Sequence, residues 1–92
     1  MTPENFLREI RAALDAYIAS DIGGRALVRR IDDLMADELP DGLSHSLLEV
    51  LNGLQDELAL YVEEASRRKE HPAYFGPEEL TKKVLAAKQR LE

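Results

Sequence analysis

Leu47-Leu48-Glu49-Val50-Leu51-Asn52-Gly53-Leu54-Gln55-Asp56-Glu57-Leu58-Ala59-Leu60-Tyr61 is the stretch on which the fold turns. Its Leu47, Leu51, Leu54, Leu58 and Tyr61, continued by Ala65, alternate steps of four and three. That spacing gathers side chains on one face of an α-helix. Ser44 or Ser46 stands in front as an N-cap. On the opposite side Glu49, Asp56 and Glu63 recur every seven residues, so a helix running through all three carries one acidic stripe, with Glu57 and Glu64 beside it. The apolar stripe is shorter than three heptads, too short for a coiled coil of its own. It needs other helices from the same chain to cover it.

Those helices are legible on both sides. Thr2, Pro3 and Glu4 combine an N-cap, a proline at the first helical position and an acid at the positive end of the helix dipole. Phe6, Leu7, Ile10, Ala13, Leu14, Tyr17 and Ile18 then recur at helical spacing up to a stop near Ser20. Gly23 and Gly24 give the chain the backbone freedom to reverse. A second helix from about Arg25 to Leu39 puts Leu27, Val28, Ile31, Leu34 and Met35 on one side, and Pro40-Asp41-Gly42 ends it. After the long third helix, Arg67, Arg68 and Lys69 complement the negative end of its dipole. A connection through Tyr74 and Phe75 docks two aromatics on the body of the protein. Gly76-Pro77-Glu78-Glu79 opens a fourth helix with Leu80, Val84, Ala87 and Leu91 inward. No segment reads as a strand. The expected fold is all-α: one domain over residues 1–92, an antiparallel four-helix bundle around one core.

Composition narrows the chemistry. The chain has no cysteine, which excludes disulfides, thiolate zinc sites and a cysteine nucleophile, so packing alone must hold it. Glu4, Arg8 and Glu9 interrupt the N-terminal stretch where a secretory signal needs apolar residues, and no run is long enough to cross a bilayer. A cytoplasmic location with no membrane partner is expected. The net charge of −6 disfavours nucleic acid, and it is unevenly spread. Residues 31–66 contain no lysine or arginine and carry a charge of −10, whereas residues 1–30 sum to +1 and 67–92 to +3. Fields so one-sided steer cationic partners, so a basic protein is the expected partner.

Catalytic candidates are few. His45 and Glu49 have the i, i+4 spacing of two metal ligands, but a metal site needs at least one more ligand. Asp37 to Leu48 has the outline of a calcium loop, yet Leu39 and Leu48 stand where ligands are required, and Pro40 sits inside it. Adjacent acids such as Asp32 and Asp33 diverge by about 100° around a helix and do not face one substrate. No cofactor, no metal and no enzymatic activity are therefore expected.

Tyr17-Ile18-Ala19-Ser20-Asp21-Ile22-Gly23-Gly24-Arg25-Ala26-Leu27 and the closing Gly76-Pro77-Glu78-Glu79-Leu80 resemble the small helical immunity proteins of bacterial toxin systems, of the colicin D immunity type. The resemblance implies an inhibitor that occupies the active-site cleft of a nuclease toxin, with acids where the toxin expects substrate phosphates. By position, the contacts would be Asp33, Asp37, Glu49, Asp56, Glu57, Glu63 and Glu64. The alternative is a structural or regulatory helical adaptor, as a monomer or a homodimer, that meets its partner through an apolar surface.

Overall fold

The computed structural model describes residues 1–91 and places four α-helices: α1 (Pro3–Ile18), α2 (Gly24–Asp37), α3 (His45–Leu58) and α4 (Pro77–Leu91). Capping fixes where two of them begin. The Thr2 hydroxyl accepts from the Asn5 backbone N–H at 3.2 Å, and the Ser44 hydroxyl accepts from that of Leu47 at the same distance. Each helix then turns its expected apolar residues inward, except that Ile18, in the last turn of α1, is exposed. Phe6, Ile10 and Leu14 of α1, Leu27, Ile31 and Leu34 of α2, Leu51 and Leu58 of α3, and Leu80 and Val84 of α4 are all but fully buried in one core.

Helices pack in a ring in which α1 touches α2 and α4, and α3 touches α2 and α4. Polar links join every neighbouring pair, and the series between α1 and α4 runs antiparallel. Glu9 meets Arg30 at 3.1 Å across α1 and α2, and Asp15 meets Lys88 at 2.7 Å across α1 and α4. Arg11 donates to the Leu91 carbonyl at 3.0 Å, while Tyr17, a turn and a half further along α1, donates to the carbonyl of Pro77 at 3.3 Å. Gln55 donates to Asp32 at 3.0 Å across α2 and α3, and Lys83 reaches Glu57 at 3.8 Å across α3 and α4. Such exposed links contribute at most about 1 kcal/mol each, so they report the register that the core sets.

Three expectations are corrected. First, α3 ends at Leu58 rather than running on to Ala65, which is exposed. Asp56 and Glu57 already crowd the negative end of its dipole, and Glu63 and Glu64 would add two more acids there. The chain leaves the helix instead. The Val62 N–H donates to the Phe75 carbonyl at 2.9 Å and the Phe75 N–H to the Leu60 carbonyl at 3.2 Å, an isolated parallel bridge between Tyr61 and Phe75. Residues 61–75 thereby form an excursion closed at its base. Second, Arg67 to Glu70 make their own 3-10 turn within that excursion and do not cap α3. Of the two aromatics, Phe75 is buried against the core, while Tyr74 stays half-exposed against the His71 ring, 5.3 Å away.

Third, the Gly23-Gly24 turn does not use glycine for backbone freedom. The left-handed residue between α1 and α2 is Ser20, at φ 65°. Gly24 serves close approach: a Cβ there would lie 2.6 Å from the tip of the Tyr61 ring. The segment at the end of α3 therefore rests on the first turn of α2. We expect Gly24→Ala to push the ring out of this seat and to lower stability by about 1–3 kcal/mol in urea unfolding. Gly53→Ala, in the middle of α3 with nothing near its added methyl, should raise stability by about 0.5–1 kcal/mol in the same assay.

Candidate binding surface

The acids singled out by sequence do not assemble into one stripe, because α3 stops before reaching Glu63 and Glu64. Glu49 and Asp56 do share the outward side of α3, two turns apart and opposite the buried Leu51, Leu54 and Leu58. A Glu49 carboxylate oxygen lies 3.1 Å from His45 Nε2, so the two candidate metal ligands face each other. Among the described residues no group of three or more His, Asp or Glu side chains could hold a metal ion. Glu57 lies on the α4 side of α3, paired with Lys83, whose ammonium also stands 5.1 Å above the Phe75 ring.

On α2 the distribution follows from helical phase. Arg30 reaches Glu9 of α1, and Asp33 and Asp37, three and seven residues later, fall on the same side. Neither carboxylate has a partner among the described residues. Asp32 points the other way, to Gln55 of α3. Sequence reasoning left out two acids that join Asp37 in space: Glu38 and Asp41, exposed in the loop between α2 and α3. The absence of any base from Ile31 to Ser66 was the signal that covered them.

Glu63 and Glu64 belong to the excursion and differ from each other. Glu63 is held by Arg25 of α2 at 3.7 Å and lies 3.5 Å from the Tyr61 hydroxyl, while its carbonyl accepts from Arg68 at 3.3 Å. The side chain of Glu64 is exposed and unpaired among the described residues. The base-free stretch runs from the second half of α2 through α3 into the excursion, bordered by Arg29 and Arg30 before it and Arg67 after it. Among the described residues, the acids of that stretch whose side chains have no intramolecular partner are Asp33, Asp37, Asp56 and Glu64, together with Glu38 and Asp41. Stability does not explain them: Asp37 and Asp56 lie in the last turns of α2 and α3, where neither helix has a base and a negative charge opposes the dipole.

No protein family, curated protein or solved structure matches the chain. No helix is long and apolar enough to cross a membrane among the described residues.

Tyr61 is the one group in this region with a displaced proton affinity. Burial, and then the neighbouring Glu63 carboxylate, raise its phenol above the usual value of 10.0, with a smaller opposing pull from Arg68. A raised phenol binds its proton more tightly in the folded chain than in the unfolded one. Its contribution to stability is therefore whole below pH 10 and is lost as pH rises through the folded value. In an ultraviolet phenolate titration, one of the three tyrosines should ionise later than a free phenol, and Glu63→Gln should bring that step back toward the ordinary range.

Proposed function

We propose that this chain is a small acidic binding protein that neutralises a basic protein partner through its α2–α3 flank. The observation that carries the reading is the set of unpaired acids, Asp33, Asp37, Asp56 and Glu64, within residues 31–66, a stretch that contains no lysine or arginine. A carboxylate with no intramolecular partner keeps its water until a cation replaces it. An acidic flank on a rigid helical scaffold raises the encounter rate with a positively charged surface, and its acids then pair with lysine or arginine as the contact dries.

The partner class follows from what such a flank imitates. Spaced carboxylates on a convex surface present negative charges to a cleft built for phosphates, so a cytoplasmic nuclease with a basic active site is the proposed target. This is the immunity-type inhibition that the Tyr17–Leu27 and Gly76–Leu80 segments suggest. The role is one of binding, without a metal or cofactor.

A helical adaptor with an apolar contact surface is the second reading, and one observation favours it. Ile18 and Leu85 remain 39% and 46% exposed beside a common hollow between the end of α1 and α4. Salt separates the two readings, since screening weakens charge pairing and leaves apolar contact intact. In a tagged pull-down from the source cell, a basic protein should be captured at low salt, released at high salt, and inhibited as a nuclease by the purified chain. Replacing Asp33, Asp37, Asp56 and Glu64 together by lysine should lower affinity for it by a factor of about 100 or more, with the helical circular dichroism retained. Unchanged affinity in the folded variant would refute the acidic-flank mechanism.

A further inference from the structure

Around the bundle from the acidic flank, α3 and α4 leave a cleft of about 210 Å³ whose floor is Val50, Leu54, Ala86 and Ala87. A cavity of roughly 150 Å³ accepts a benzene-sized group, so this one has room for an aliphatic side chain. Its rim is cationic. Lys83 is balanced by Glu57, but Lys82 is only loosely held, 3.8 Å from Glu79, and Arg90 has no carboxylate partner among the described residues. On a chain of net charge −6, this is an apolar hollow in a locally positive setting.

The matching shape is on the same molecule. Leu39 follows the end of α2 and is 43% exposed. Its neighbours in sequence are Asp37, Glu38 and Asp41, all exposed. An aliphatic side chain framed by acids is the complement of an apolar cleft framed by cations. It cannot fill its own cleft while Pro40 and the Ser44 cap hold the short loop between α2 and α3 in place. A second copy can supply it. The loop lies at the end of the bundle where α3 begins and α4 finishes, and of the cleft's lining Val50 and Arg90 stand nearest those helix ends in sequence. A two-fold axis there lets each chain fill the other's cleft, which closes the assembly at two.

We infer that the chain self-associates as a two-fold dimer in which Leu39 of each copy enters the α3–α4 cleft of the other, with Asp37, Glu38 and Asp41 facing Lys82 and Arg90. This inference stands apart from the basic-partner reading, because purified protein alone tests it. Asp37 would serve both contacts, so partner and second copy would compete for it.

Sedimentation equilibrium from micromolar protein to about 1 mM should show monomer passing to dimer, shifted toward monomer by salt. Leu39→Ser and Ala86→Glu each alter an exposed residue, one on the entering side and one at the cleft. Each should weaken association by about tenfold or more. In the unsubstituted protein, amide resonances that move with concentration should be those of residues 38–44 and the cleft around Val50 and Ala86. A monomer throughout the range overturns the inference, as does a dimer that survives either substitution or whose moving resonances lie elsewhere.

Discussion

Helices of 14 to 16 residues are marginal in water by themselves, and this chain has four of them and no cross-link. Everything else depends on the core they share. Phe6, Ile10 and Leu14 meet Leu27, Ile31 and Leu34 on one side and Leu80 and Val84 on the other, with Leu51 and Leu58 closing the ring. No polar side chain is buried there among the described residues, so the core gains its stability from apolar area without the cost of hiding charge. Surface ion pairs at the seams then choose nothing on their own. They fall where antiparallel packing brings Glu9 to Arg30 and Asp15 to Lys88.

The closing of residues 61–75 is what adapts this core to an 18-residue connection, residues 59–76. A link of that length would spread as a loose loop if its ends were not joined. Two backbone hydrogen bonds pair the exit of α3 with the entry to α4, the Phe75 ring enters the core, and Tyr61 settles over Gly24. Arg25 and Arg68 grip Glu63 from opposite sides, one at its carboxylate and one at its carbonyl. The excursion is thereby fixed to the start of α2, and Glu64 stands exposed within it.

Charge is arranged differently in the two halves of the ring. Around α1 and α4 most acids are matched to bases, as Asp15 is to Lys88 and Glu79 to Lys82. Along α2 and α3 several acids have none, and the packing between these two helices is the least extensive of the four seams. Unpaired charge at the ends of α2 and α3 works against helix stability by a few tenths of a kcal/mol per site.

Much of this was legible from local pattern. The apolar faces of all four helices, the Thr2 and Ser44 caps and the proline start of α4 were set by spacing and side-chain chemistry, and apart from the exposed Ile18 they came out where spacing put them, because helical phase and capping act over three or four residues. Tertiary structure decided the rest. Leucine spacing carried α3 through Tyr61 to Ala65, whereas the backbone of Val62 found a partner at Phe75, thirteen positions away. Tyr61 still faces inward, but from a bridge and over Gly24, a contact that no local pattern announces. The acidic content of residues 31–66 was plain in the sequence; whether those acids formed one stripe depended on where α3 ended. Their pairing with Arg25, Lys83 or nothing at all depended on which helices became neighbours. Periodicity records what each segment must bury, while the partners of its polar side are chosen only when distant segments pack.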